Sequence, residues 1–163
     1  MNKLLLLASL LVLPLAAHPR AHQDANASRQ EVEALLTEFH AAAAEADAER
    51  HFACFAEDAV FLGTDASERW TAAELRALLE PVFARGERRK TVATETHVTV
   101  SDGGRLAWFD QRLESERWGE MRGSGVARKA GERWEIVQYV WSFPVPNELV
   151  PELSERFRAL RKG

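Results

Sequence analysis

The sequence predicts an α+β fold in which three N-terminal helices pack on a curved antiparallel sheet. Apolar residues recur at helical spacing in the first half of the chain, and from Lys90 onward the period changes to two. The chain has 163 residues, 46% of them hydrophobic, which is enough for one core. The predicted order is α-α-β-β-α-β-β-β-β. Because the strands are rich in Trp, Phe and Val, we expect the helices to cover the sheet and enclose a cone-shaped cavity.

The first two helices are predicted from capping and spacing. Ser28 and Glu31 form a capping box, and the apolar spacing that follows continues to about Glu45. A second, short helix carries Phe52 and Phe55. Both helices are therefore expected to bury one face.

Two short strands and a third helix follow. The strands are predicted at 59–63 and around 68–70, joined by a turn. Thr71 and Glu74 form another capping box, and the helix that they start is expected to stop at Gly86.

Four strands joined by short turns make up the rest of the predicted domain. They are expected at 92–100, 105–117, 121–129 and 133–143. Pro144 and Pro146 end the last strand, because proline cannot donate to the ladder. Leu153, Phe157 and Leu160 then fall at the spacing of a short amphipathic tail helix.

The N-terminus predicts export. An apolar run from Leu4 to Leu15 follows one lysine and precedes small residues, and it is too short to span a bilayer core. We interpret it as a cleaved signal peptide, the alternative being an uncleaved membrane anchor. The predicted product is secreted or periplasmic and has no integral membrane span. The expected segments are a signal peptide (1–17, with cleavage up to about 21), a linker (18–29), one domain (30–147) and a tail (148–163).

Charge and cysteine content narrow the function classes. The net charge of -4 and the pI near 5.8 give no reason to expect nucleic acid as a partner. The basic run 85–90 contains a glutamate and is interpreted as a solvated loop. Cys54 is the only cysteine and is assigned to core packing. The five histidines never fall at ligand spacing with each other, so we predict no metal and no cofactor.

Three stretches of the sequence resemble a known superfamily. They are "FACFAEDAVFLGTDASERWT" (52–71), "DGGRLAWFDQ" (102–111) and "RGSGVARKAGERWEIVQYVWSFPVPNEL" (122–149). They are similar to SnoaL-like domains of the nuclear-transport-factor-2-like (NTF2-like), or ketosteroid-isomerase-like, superfamily. The resemblance implies a cone-shaped NTF2-like fold and a homodimer formed through the open sheet face. Its members include isomerases, dehydratases, ligand carriers and association modules.

In catalytic members an Asp base faces a Tyr or Asp donor inside the cone. Where the donor tyrosine would lie on the first helix, this chain has Phe39 and His40. No position matches the family base, so the resemblance does not identify a reaction.

The candidate catalytic residue is Asp110. Strand alternation places it on one face with Trp108 and Arg112. If that face lines the cone, Asp110 is a partly desolvated acid suited to proton transfer or ligand binding. The alternative is a structural ion pair with Arg112 or Arg122.

Aromatic and polar side chains near Asp110 are expected to form the ligand pocket. The candidates are Asp65, Trp70, Trp108, Arg122, Ser124 and Tyr139. Asp65 could equally serve an Asx turn. Gly123 and Gly125, in mid-strand, indicate either a bulge that curls the sheet or close approach of a ligand.

Three functions are compatible with these observations. The first is binding of a small, largely apolar organic molecule in the cone. The second is a non-enzymatic homodimer whose cavity is filled by its own side chains. The third is an isomerase or dehydratase acting alpha to a carbonyl.

Overall fold

A six-stranded curved sheet covered on one face by helices confirms the predicted α+β fold. The computed structural model describes residues 19–160, with the side chains of 24–160, so the predicted signal peptide lies outside the described residues. The elements are α1 (Pro19–Glu45), α2 (Ala48–Ala53), β1 (Phe55–Leu62), β2 (Arg69–Thr71), α3 (Ala72–Ala84), β3 (Thr91–Val100), β4 (Leu106–Ser115), β5 (Gly119–Ala130), β6 (Arg133–Ser142), a 3₁₀ turn (Asn147–Leu149) and α4 (Val150–Leu160).

The strands follow the order β2-β1-β6-β5-β4-β3. The meander β3 to β6 pairs antiparallel throughout, as predicted. β1 pairs antiparallel with β2 but parallel with β6, so the sheet is mixed at this side. The parallel pair brings the first strand, which follows α2, next to the last strand of the meander.

The first helix begins earlier than the sequence predicts. α1 starts at Pro19, so the segment expected as a linker is helical and Ser28 is buried within the helix. The capping box assigned to Ser28 and Glu31 is therefore wrong. Glu31 instead bonds residues of β5 and β6, accepting from Lys129 Nζ at 2.9 Å and from Trp134 Nε1 at 2.8 Å. The predicted end of the helix, Glu45, is confirmed.

The third helix is capped as predicted. Thr71 Oγ1 accepts from the Glu74 main-chain N–H, and the Glu74 carboxylate accepts from the Thr71 N–H at 2.8 Å. Helix α3 ends at Ala84, and Gly86 follows with a φ of 71°, a left-handed conformation that favours glycine.

Two glycines of β5 let aromatic rings lie close to the sheet. A Cβ on Gly123 would come within 2.8 Å of the Tyr139 ring, and one on Gly125 would come within 2.6 Å of Phe109 and 2.2 Å of a main-chain oxygen. A register irregularity between β5 and β6 follows at Val126–Ala127. The glycines therefore serve the packing of the sheet's inner face, next to a bulge.

The core lies between this inner face and α1 to α3. Its most deeply buried large side chains include Leu36, Phe39, Phe109, Ile136 and Tyr139, each at most 3% exposed. Burying such a side chain contributes roughly 1.5–3 kcal/mol. This packing holds the helices over the sheet and shapes the space between them.

The predicted tail helix is present as α4. Its apolar side chains remain largely exposed, with Phe157 at 56% and Leu160 at 78%. Among the helices that the structure describes, none has the length and apolar character needed to cross a bilayer.

Candidate functional site

A cavity of about 350 Å³ lies between α1, α3 and the inner face of the sheet. Its wall is mainly aromatic and aliphatic, formed by Phe39, Phe61, Trp70, Leu75, Leu78, Leu79, Val82, Phe83, Trp118 and Trp141. Leu78 is 50% exposed and Trp118 39% exposed, so these two side chains mark where the cavity reaches the surface. A void of this size with an apolar wall is typical of a small-molecule site.

Few polar side chains line the cavity. They are His40, His51, Thr64, Glu68, Arg89 and Thr91. The two histidines come from α1 and α2 and are buried, whereas Arg89 is half-buried in the loop before β3. The cavity thus combines an apolar wall with a few polar groups from different elements.

His40 belongs to a buried hydrogen-bond network with Gln111 and Tyr139. The Tyr139 hydroxyl donates to Gln111 Oε1, and His40 Nε2 lies 3.2 Å from both that oxygen and the hydroxyl. Since the single hydroxyl proton goes to Gln111, His40 Nε2 carries a proton and is the donor to this pair. Gln111 Nε2 completes the chain by donating to Thr96 Oγ1 at 3.0 Å.

Burial keeps this network uncharged. It lowers the pKa of His40, although the hydrogen bond to Gln111 opposes the shift, and it raises the pKa of Tyr139. Trp141 lowers the pKa of Tyr139 by a smaller amount than burial raises it. The indole N–H of Trp141 has no acceptor in hydrogen-bonding geometry among the described residues. The cavity floor therefore presents neutral polar groups.

His51 is the second imidazole of the cavity wall. Its Nδ1 lies 3.1 Å from the Phe39 carbonyl oxygen, so Nδ1 carries the proton and Nε2 keeps its lone pair. Burial among Phe39, Phe52, Phe55 and Phe83 lowers the pKa of His51 to about 4, against the effect of the bond to Phe39. His51 is consequently neutral near pH 7.

Asp110 does not face the cavity. It is exposed on the outer face of β4, opposite Ser124 of β5 and His97 of β3. The prediction that this carboxylate projects into the cone is wrong, because the strand face filled by Phe109 and Gln111 is the inner one. Neither ion pair suggested as the alternative forms among the described residues: the Arg112 guanidinium contacts Glu120 at 3.2 Å, and Asp110 makes no ion pair with Arg122.

Three other predicted pocket residues share the outer face. Trp108 is 53% exposed, Arg122 is exposed opposite Arg112, and Ser124 is half-buried opposite Asp110. Their expected position in the pocket is wrong for the same reason as for Asp110. Alternation along the strands was correct, but the choice of inner face was reversed.

The remaining candidates lie at or near the cavity. Trp70 lines it, as expected. Tyr139 is fully buried beneath it and contacts the lining residues His40 and Trp141. Asp65 lies in an exposed turn, where its Oδ1 accepts from the Ser67 N–H at 2.8 Å, which is the Asx turn named as the alternative.

No reactive thiol or metal cluster adds to the site within residues 24–160. Burial raises the pKa of Cys54 to about 11, so the thiol stays protonated and serves core packing. No group of three or more His, Cys, Asp or Glu side chains in this part of the chain is placed to hold a metal ion.

Three residues at or beneath the cavity, Gln111, His51 and Arg89, were not predicted from the sequence. Gln111 alternates in phase with the apolar residues Phe109 and Leu113, which was the available signal for a buried polar group. His51 lies in a short helix beside Phe52, and Arg89 lies in a basic loop. Nothing in those local patterns indicates a cavity, because the three elements meet only in the folded chain.

The fold is that of a SnoaL-like domain. The model of the SnoaL-like domain family matches residues 32–146, and the chain belongs to that family. No curated protein matches the chain.

Solved structures of the NTF2-like fold are similar over most of the chain. An NTF2-like protein of unknown function from Pseudomonas putida KT2440 is 20% identical with a TM-score of 0.64, covering 76% of this chain and 91% of that one. A Mycobacterium tuberculosis protein of unknown function is 17% identical with a TM-score of 0.66, covering 82% and 80%. A Novosphingobium aromaticivorans protein, provisionally described as a scytalone dehydratase, is 11% identical with a TM-score of 0.64, covering 76% and 89%. At these identities the likeness shows the fold alone.

Proposed function

We propose that this SnoaL-like domain binds a small, largely apolar organic molecule in the cavity between its helices and sheet. The observation that carries the proposal is the volume of about 350 Å³ walled by aromatic and aliphatic side chains. Binding would remove the apolar surface of both ligand and cavity from water, and the few polar groups would orient the ligand. The open volume favours this function over a cavity filled by the protein's own side chains.

A pair of matched substitutions tests the proposal. Leu78, 50% exposed, lines the cavity entrance, whereas Leu149, 48% exposed, lies in the 3₁₀ turn after β6 and does not line the cavity. Leu78→Trp narrows the entrance, and Leu149→Trp makes the same change away from the cavity. The probe is naphthalene-2-carboxamide, a neutral bicyclic molecule, and binding is measured by isothermal titration calorimetry.

We expect the wild type and Leu149→Trp to bind the carboxamide alike, and Leu78→Trp to bind it at least about tenfold more weakly. Equal binding by all three proteins would place the probe elsewhere and contradict the proposal. Absence of binding to the wild type, for this probe and for smaller neutral aromatic molecules, would also contradict it.

Acid–base chemistry on the bound molecule is a second candidate function. It is favoured by His40, a neutral imidazole that lines the cavity and is oriented by Gln111, since an oriented imidazole is a common general acid or base. His51, with a pKa near 4, is a weak base at neutral pH.

Exchange of the α protons of α-tetralone in D₂O tests this chemistry without a known substrate. Catalysis predicts exchange faster than in buffer, lost in His40→Phe and kept in His97→Phe, an exposed imidazole of the outer face. Exchange at the buffer rate with wild-type protein, under conditions where tetralone binds, would exclude this activity for that ketone.

Export and dimerisation complete the proposal. The apolar run from Leu4 to Leu15 supports secretion or transfer to the periplasm. The exposed Leu106 and Trp108 on the outer face support a homodimer formed through that face.

A further inference from the structure

Arg89 is a half-buried cation at the edge of the apolar cavity. Its main-chain N–H donates to the Ala43 carbonyl at 3.0 Å, which explains why the loop lies against α1. The guanidinium itself has no carboxylate of residues 24–160 within ion-pair distance. A buried or half-buried arginine usually has an acidic partner, because burial without one costs free energy.

A second, smaller groove continues from the cavity at Arg89. It has a volume of about 200 Å³ and shares Val82, Arg89, Thr91, Trp118 and Trp141 with the cavity. We call it the entrance groove. Arg89 therefore lies at the boundary between an apolar space and a charged one.

The entrance groove is mainly cationic. Arg88, Lys90 and Arg117 line it together with Arg89. Two carboxylates also line it, Glu87 and Glu116, but Glu87 is paired with Arg85 at 2.7 Å, outside the groove. The positive charges are thus not balanced within the groove.

The charge of Arg117 disfavours the charged form of Arg89. Burial lowers the pKa of Arg89, and the Arg117 charge lowers it further, against a smaller opposite effect from Glu87. Arg117 itself lies over the Trp118 ring at 5.3 Å, next to the cavity wall. An anion bound beside Arg89 would remove this repulsion and would supply the missing hydrogen-bond acceptor.

We propose that the cavity ligand is an apolar carboxylic acid whose carboxylate binds Arg89, while its apolar body occupies the cavity. The inference rests on the proposed ligand-binding function and narrows its ligand class. The planar guanidinium can donate two parallel hydrogen bonds to a carboxylate, which a neutral amide cannot match in charge. The cavity provides affinity and Arg89 provides the discrimination.

Two probes of the same shape test this inference. Naphthalene-2-carboxylate and naphthalene-2-carboxamide differ mainly in charge at neutral pH. Their affinities are measured calorimetrically for the wild type, Arg89→Gln, Arg89→Lys and Arg158→Gln. Arg158 is an exposed arginine of α4, so its substitution makes the same change in net charge away from the cavity.

We expect the wild type and Arg158→Gln to prefer the carboxylate by about 10- to 100-fold, the effect of a hydrogen bond to a charged group. Arg89→Gln should lose that preference and still bind the carboxamide as the wild type does. Arg89→Lys should keep part of the preference, because the charge remains.

Other outcomes would overturn the inference. Equal wild-type affinity for the two probes would remove the role of Arg89 and leave the ligand-binding function intact. If Arg89→Gln still prefers the carboxylate over the carboxamide, a cation other than Arg89 binds the carboxylate. Acetate or inorganic phosphate binding as tightly as naphthalene-2-carboxylate would separate the anion site from the cavity. Failure of both probes to bind would overturn this inference together with the proposed function.

Discussion

The two faces of β4 differ at every residue. Along Leu106–Ser115 exposed and buried side chains alternate without interruption. Phe109 and Gln111 are buried, whereas their neighbours Trp108 and Asp110 are exposed. Both faces carry an aromatic and a polar residue. What distinguishes them is the kind of polar group: an amide faces the core, and a carboxylate faces out.

Electrostatics explains this difference. A neutral amide, hydroxyl or imidazole can be buried if it finds hydrogen-bond partners, and Gln111, Tyr139 and His40 find one another. A buried carboxylate would require a buried cation or a proton. The comparison teaches that the buried network inside the cone is built from neutral groups, whereas the charged residues that line the cavity, Glu68 and Arg89, are only half-buried.

The largest loss of stability is expected from a methyl group added beneath the aromatic rings of the inner face. Gly125→Ala would place a Cβ 2.2 Å from the Gln138 carbonyl oxygen and 2.6 Å from Phe109. We expect the free energy of unfolding in urea to fall by about 3 kcal/mol or more. Gly103→Ala, with no atom within 4 Å of the new Cβ, is the control and should stay within about 0.5 kcal/mol of the wild type.

Acid should destabilise the core between the helices and the inner face before it affects most carboxylates. Unfolded histidine binds a proton near pH 6.5, whereas buried His51 does so only near pH 4. Between these values the unfolded chain holds more protons, so the free energy of unfolding falls as the pH falls, by about 3 kcal/mol in total for this residue. His40, whose pKa is also lowered, adds to the loss.

Urea unfolding at several pH values from 7 to 4.5 measures this loss. The stabilising carboxylates with lowered pKa, such as Glu31 and Glu38, lose their contribution below that interval. His51→Phe should reduce the slope of stability against pH, and His97→Phe, on the exposed face, should leave it unchanged. Equal slopes in all three proteins would contradict the assignment to His51.

Adjacent substitutions on β4 compare the two faces directly. Gln111→Leu would remove an acceptor shared by Tyr139 and His40, and the partly orphaned buried groups should cost about 2–3 kcal/mol in the free energy of unfolding. Asp110→Asn, one residue away and exposed, should change it by less than about 0.5 kcal/mol. A larger effect at Asp110 than at Gln111 would show that the faces were assigned wrongly.

The smallest effect on folding is expected on the outer face. Trp108→Arg changes a side chain that is 53% exposed, so it should alter secondary structure and cooperativity of unfolding little. It should, however, convert the proposed homodimer to a monomer in sedimentation velocity. Phe157→Arg on α4, at 56% exposure, is the matched control and should remain dimeric. A wild-type monomer, or a dimer unaffected by Trp108→Arg, would contradict the proposed interface.

Local patterns predicted most of the fold. Thr71 and Glu74 marked the start of α3, and alternation from Val92 onward marked the four-strand meander, because capping and strand periodicity depend on near neighbours in sequence. The same kind of reasoning placed the start of α1 wrongly at Ser28. A good capping pair inside a helix remains compatible with the helix continuing through it.

The site was predicted less well than the fold, and the reason is visible in β4 and β5. Alternation along a strand places Asp110 and Gln111 on opposite faces of the sheet, but it does not show which face the helices cover. Gly123 and Gly125 face the inside, under Tyr139 and Phe109, and only this packing identifies the covered face. Trp70, in contrast, lies on the wall of the cavity.

The sequence by itself determined the element order, the capped third helix and the antiparallel meander, since each depends on spacing along the chain, and its resemblance to SnoaL-like domains indicated the family. Only the tertiary structure decided that Gln111, and not Asp110, faces the interior, and that His40, His51 and Arg89 border one cavity. These residues are far apart in sequence, and their meeting depends on how α1, α2 and the loop before β3 pack on the sheet. Contacts between elements that are far apart in sequence do not appear as a periodic pattern within any single element.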